Sequence, residues 1–125
     1  MPVRSLDSAV LRWPDRTRII DEARRWALTA GPRDSNITRI LCHGSITTAK
    51  WGVGSDLDVI IVVRETNVSF ERRAADYPVE GISVPVDLMV YTEREFGSLR
   101  EEGRRIAAEL DRNALTLFER AQVVD

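Results

Sequence analysis

Ile37-Thr38-Arg39-Ile40-Leu41-Cys42-His43-Gly44-Ser45 is followed, ten residues after the serine, by Asp56-Leu57-Asp58-Val59-Ile60-Ile61-Val62-Val63. The first run is short and β-branched, which reads as a strand over 37–42 ending at His43-Gly44-Ser45. The second is apolar on both alternating faces from Leu57 to Val63, the pattern of a central strand covered on two sides. Between them a short helix is expected from Ser45 to about Trp51, with Ser45 as its cap or first residue, before Gly52-Val53-Gly54 forces a loop. Gly44-Ser45 thus joins a strand to a helix start, where backbone N–H groups point at an anion and the bare glycine lets a phosphate approach. Asp56 and Asp58 lie two apart, and the strand period of two puts both on one face.

Working outward, Ile19, Ala23, Trp26, Ala27 and Ala30 recur at helical spacing, predicting an amphipathic helix from Pro14 to Ala30 stopped by Gly31-Pro32. A short helix is expected from Ser69 to about Tyr77, closed before Pro78. Val84 to Tyr91 is a third strand. Thr92-x-x-Glu95 has the pattern of a capping box opening a helix, with Phe96, Leu99, Ile106, Ala107 and Leu110 as its apolar positions and a break at Gly103. Ala114 to Phe118 reads as an edge strand with Leu115 and Leu117 inward. Helices and strands alternate, so the expected class is α/β (α+β), a small mixed sheet flanked by helices, in one domain over 1–125.

Composition narrows the partners. Eighteen basic and twenty acidic residues give a net charge of −2 with the signs interspersed, leaving no basic footprint for nucleic acid. The longest apolar run, Val59 to Val63, is far short of a membrane span. The acidic Asp7 near the start argues against a secretory signal, and the lone Cys42 agrees with a reducing compartment, so a cytoplasmic protein is expected.

Carboxylates in apolar strands carry the chemistry. Asp87 interrupts Val84-Pro85-Val86-Asp87-Leu88-Met89-Val90, and burying an unpaired carboxylate costs several kcal/mol, so each such acid needs a cation, donors or a cleft. Taken singly, Asp56 could cap a turn, Asp58 pair with an arginine and Asp87 bridge at a sheet edge. If the Asp87 strand lies beside the Asp56/Asp58 strand, three carboxylates converge, and Mg²⁺ is the natural occupant because it binds a few carboxylates and completes its shell with water and phosphate oxygens. The combination Gly44-Ser45-x10-Asp56-x-Asp58 should arise by chance in only about one chain in a thousand at ordinary residue abundances.

These residues resemble the nucleotidyltransferase superfamily related to DNA polymerase beta, whose signature is a Gly-Ser turn, a ten-residue spacer, Asp-x-Asp and a third acid on a later strand. Gly44 and Ser45 match the turn, Ser55-Asp56-Leu57-Asp58 the first two acids, and Asp87 the third. The length and element order look most like the minimal nucleotidyltransferases, stand-alone domains encoded beside a HEPN-type helical partner. The chain departs at Thr48-Ala49, where the family often has Arg-Gly. The resemblance implies two Mg²⁺ ions on Asp56, Asp58 and Asp87 as catalytic and metal-binding residues, with Gly44 and Ser45 binding the nucleotide phosphates and ATP as donor. It also implies transfer of AMP to a hydroxyl acceptor. A chain this short holds little besides the catalytic core, so the acceptor surface is expected from a HEPN-type toxin or from self-association, making the protein an antitoxin that adenylylates its partner. Two other readings fit: a catalytically silent antitoxin that occludes its partner, and a subunit of an aminoglycoside-type small-molecule nucleotidyltransferase. His43 has no Cys or Ser partner at triad spacing and reads as structural, Cys42 as a small core residue, and Trp13, Trp26 and Trp51 as packing residues, Trp51 being near enough to the site to meet a base or a partner.

Overall fold

The computed structural model describes residues 13–101 and 105–121. The elements in chain order are α1 (Arg16–Arg33), β1 (Ile37–His43), a 3-10 turn (Gly44–Thr47), β2 (Leu57–Val63), the short α2 (Phe70–Arg73) with a 3-10 extension (Ala74–Asp76), β3 (Val86–Thr92), α3 (Glu93–Glu101), α4 (Arg105–Asn113) and β4 (Leu115–Glu119). The strands form one sheet in the order β3-β2-β1-β4. β2 pairs antiparallel with β1 and parallel with β3, and β4 pairs antiparallel with β1, so the sheet is mixed and flanked by helices as expected.

β2 is the axis of the fold because its sequence gives it no polar face. Val59, Ile60, Ile61, Val62 and Val63 are all buried, and each such side chain removed from water contributes about 1.5–3 kcal/mol. Val59, Ile61 and Val63 join the larger core, where Ile19, Ala23, Trp26 and Ala27 of α1 cover one face of the sheet. Ile60 and Val62 point the other way into a smaller cluster with Leu41, Phe96 and Leu110. β1 serves both layers through a bulge. Ile37 and Ile40 face the same core although three residues apart, and the ladder shifts register between Ile37 and Arg39 to allow it.

α1 differs from expectation at both ends. Asp15 is its N-cap, accepting a hydrogen bond from the Arg18 N–H at 2.9 Å, so Pro14 precedes the helix rather than starting it. At the other end the helix runs through Gly31-Pro32 to Arg33. Within that stretch only glycine fits at position 31, because the ring of Phe118 occupies the space a Cβ would fill, within 2.6 Å of it. Arg120 donates to the Gly31 and Asp34 carbonyls at 2.6 and 3.0 Å, satisfying carbonyls that a helix end otherwise leaves orphaned. The third strand begins at Val86 rather than Val84, and the break expected at Gly103 lies outside the described residues.

The capping box forms in full. The Thr92 N–H donates to Glu95 Oε1 at 2.8 Å and the Glu95 N–H to Thr92 Oγ1 at 3.1 Å. Glu95 has a second task that the motif does not announce. It receives both terminal nitrogens of the buried Arg73 at 2.6 and 3.1 Å, while Arg73 also donates to the carbonyls of Val68 and Val90. One guanidinium thereby ties the β2–β3 crossover to the end of β3 and the start of α3, and it holds the Glu95 carboxyl down at about 2.

A depressed carboxyl stabilises the fold above its ordinary value of 4.5, and that contribution is lost as pH falls through about 2. Glu95→Gln is expected to cost about 2 kcal/mol at neutral pH, by urea denaturation, because it weakens a charge-assisted pair and a cap together. The gap to wild type should narrow from pH 4.5 down to about pH 2. A gap constant across that range would show that Glu95 acts only by packing.

Candidate active site

The acidic residues gather at one rim of the sheet, where β1 ends and β2 and β3 begin. Across the three strands the ladder aligns His43 with Asp58 and Asp58 with Asp87, so residues of three strands stand in one row. Directly opposed residues in a sheet share a face, with Cβ atoms about 4.5–5.5 Å apart in antiparallel pairs. Asp58 is half-buried, whereas Asp56, in the coil just before β2, and Asp87 are exposed. The expected pairing of the Asp87 strand with the Asp58 strand is therefore present.

Gly44 opens the 3-10 turn that follows β1, with φ at +83°, a conformation that side chains with a Cβ rarely adopt. A Cβ there would also collide with Oδ2 of Asp58. Turn and carboxylate are thus in contact, and only glycine lets them meet. Ser45 follows, half-buried, its carbonyl accepting from the Thr48 N–H at 3.1 Å and the Thr48 hydroxyl at 3.2 Å. The helix expected over 45–51 is only this 3-10 turn, because Thr48 closes it by side chain and backbone and takes an extended conformation. Thr48 also accepts from the Lys50 N–H, so the departure from Arg-Gly supplies a turn-closing hydroxyl. Downstream, Ser55 Oγ accepts from the Gly52 N–H at 3.1 Å and the Ser55 N–H donates to the Gly52 carbonyl at 3.0 Å, which holds the loop that delivers Asp56. Trp51 spends its indole N–H on the Pro14 carbonyl at 2.9 Å, tying that loop to the approach of α1.

Burial raises the Asp58 carboxyl above its ordinary value, His43 opposes the rise, and Asp87, Asp56 and Glu109 add to it. The four acids therefore share one electrostatic environment. Among the described residues no three of His, Cys, Asp and Glu are already drawn in around one point as a metal cage. Asp56 and Asp87 are exposed beside the half-buried Asp58, and Asp58 and Asp87 are aligned across β2 and β3. The donor set of carboxylate oxygens beside a glycine turn fits a hard divalent cation that keeps part of its shell for water and phosphate.

Two residues that sequence reasoning left outside the site lie beside it. His43 reads as structural, yet it is buried beside Asp58 with both ring nitrogens unpartnered among the described residues. Glu109 of α4 reaches within 4.0 Å of His43 Nδ1. The position of His43 immediately before Gly44-Ser45 is a signal in the sequence, whereas nothing local marks Glu109. Cys42 is inert, its thiol pushed up to about 11 by burial. A groove of about 930 Å³ lies at the opposite end of the strands, lined by Thr38, Arg39, Arg64, Glu93 and Glu119, and it takes no part in this chemistry.

A family model described as a nucleotidyltransferase domain matches residues 25–115, spanning the turn and all three aspartates. The chain belongs to the nucleotidyltransferase domain family. Its fold also matches a crystal structure of a candidate nucleotidyltransferase from Sulfolobus solfataricus, with a TM-score of 0.61, 16% identity and 84% of each chain covered. No curated protein matches the chain. No helix among the described residues of this nucleotidyltransferase is long and apolar enough to cross a membrane.

A carboxyl raised in the folded state costs stability when ionised. The contribution of the protonated form is fully present below the ordinary value of 3.8 and is lost as pH rises through the raised value. Asp58→Asn should therefore raise the melting temperature of the metal-free protein at neutral pH by about 2–4 °C, an advantage that disappears below pH 3.8. Adding Mg²⁺ with ATP should raise the wild-type melting temperature and leave the variant where it was, because only a state-selective ligand stabilises. Equal ligand shifts in the two proteins would remove Asp58 from the binding site.

Proposed function

We propose that this nucleotidyltransferase transfers AMP from ATP to a hydroxyl of a HEPN-type helical toxin and so acts as its antitoxin. The observation that carries the nucleotidyl-transfer half is the aligned Asp58–Asp87 pair with the Gly44 turn pressed against Asp58. Phosphate chemistry and acid chemistry meet there at one point. The partner half rests on the resemblance to minimal nucleotidyltransferases and on the exposure of Asp56 and Asp87 at the rim.

In this reading Asp56, Asp58 and Asp87 would hold divalent ions, Mg²⁺ by preference, which would supply Lewis acidity for phosphoryl transfer. Gly44 and Ser45 receive the β and γ phosphates against the turn, placing the α-phosphorus over the carboxylates. Asp87, exposed at the outer strand, orients the acceptor hydroxyl and takes its proton. The acceptor oxygen bonds to the α-phosphorus as the bond to the β-phosphate bridge breaks, and pyrophosphate leaves from the Gly44-Ser45 side.

The test incubates the purified protein with ATP labelled in its α-phosphate, Mg²⁺ and the product of the adjacent gene. Label should appear on the partner and fall by at least about a hundredfold with Asp56→Asn, since a direct ligand counts for no less than a residue behind it. A stable complex that never takes label, and in which Asp56→Asn still neutralises the partner, would favour the occluding antitoxin, the reading that Thr48-Ala49 in place of Arg-Gly supports. Label on an added aminoglycoside alone would favour the small-molecule reading.

A further inference from the structure

His43 is the one buried polar side chain at this rim that the reaction described above does not use. It ends β1 as the cross-strand partner of Asp58, 6% exposed, with Nδ1 and Nε2 both shut off from solvent and both without a protein partner among the described residues. Buried ring nitrogens are rarely left so, and a phenyl ring would fill the same space without that penalty. Two carboxylates lie next to the ring. Asp58 stands opposite it in the ladder, and Glu109 Oε2 comes within 4.0 Å of Nδ1 from the half-buried side of α4. The imidazole is therefore a wedge between an acid of the sheet and an acid of the helix that covers the small core.

We propose that His43 is a positioning residue that fixes the Asp58 carboxylate for metal binding, its two ring nitrogens closing onto Asp58 and Glu109 when the cation binds, so that α4 is tied into the site. The inference rests on the metal-and-nucleotide reading of the carboxylates. A ligand held from behind by a hydrogen bond loses its preferred orientation when that bond is removed, and affinity for the metal falls about ten- to a hundredfold.

The experiment measures Mn²⁺ binding by electron paramagnetic resonance, using the full chain and a non-hydrolysable ATP analogue, so no acceptor is needed. H43F should bind Mn²⁺ about tenfold more weakly at an undiminished melting temperature. H43Q, which keeps a donor, should recover most of the loss. E109Q should weaken binding less than H43F does. The H43F/E109Q double variant should be no weaker than H43F alone, because the two residues act through one contact. Wild-type affinity in H43F would reduce His43 to packing, and additive losses in the double variant would break the link to Glu109. If H43F fails to fold, H43Q and E109Q decide instead: E109Q weaker than H43Q supports the proposal, and equal affinities overturn it. A folded wild-type protein that binds no Mn²⁺ with the analogue would sink the metal reading and this inference together, whereas wild-type binding with an unaffected H43F would sink this inference alone.

Discussion

Asp58 carries a charge at the mouth of a strand that is otherwise sealed on both faces, and the rest of the structure is arranged around that conflict. β2 must be central, because five consecutive apolar residues leave no face for water. Once central, its first turn of ladder has neighbours on both sides, which are His43 on β1 and Asp87 on β3. An acid in that position cannot be neutralised by retreat into solvent. It can be tolerated only at the rim, where Asp56 and Asp87 remain wet and the Gly44 turn packs against it with no side chain of its own. The same geometry that makes Asp58 costly suits it to a cation, since a carboxylate with few water partners gains most from one.

The stabilising devices sit away from that rim. Arg73 binds Glu95 and two carbonyls at the far end of β3, and Arg120 stacks 5.5 Å from the Phe118 ring while closing the end of α1. Both arginines are committed to backbone carbonyls as well as to charge or ring partners, and neither forms an ion pair with Asp56, Asp58 or Asp87. The sheet is thus braced at one end and left electrostatically unsatisfied at the other.

Much of this is legible in the sequence. The spacing of Gly44, Ser45, Asp56 and Asp58, the apolar block of β2 and the Thr92/Glu95 box are local patterns whose meaning depends on few neighbours, and the structure forms the strands β1 and β2 and the Thr92/Glu95 cap, while Ser45 lies inside a turn whose N-cap is His43. What escaped depends on residues distant in the chain. Gly31-Pro32 reads as a stop, but Phe118 and Arg120, nearly ninety residues on, supply the contacts that let the helix continue. Thr48 turns a predicted helix into a single 3-10 turn through its own hydroxyl. Ile37 and Ile40 share a face only because of a bulge, which period-two reasoning cannot foresee. His43 and Glu109 are unremarkable alone and become a pair only when α4 packs on the end of β1.

The arrangement also constrains how a nucleotide can bind. Phosphates approaching the Gly44-Ser45 turn come up against Asp58, since a Cβ on Gly44 would already touch that carboxylate, and behind Asp58 stand Asp56, Asp87 and Glu109. Without a cation the triphosphate and the acids repel each other across a contact too short to screen with salt. With one, the same contact becomes attractive for both. In the proposed reading metal and nucleotide affinities are therefore a single linked quantity, each ligand raising the affinity for the other by the same factor. A residue that merely orients Asp58 acts on both at once, which is why the histidine behind the carboxylate bears on nucleotide binding without facing the nucleotide.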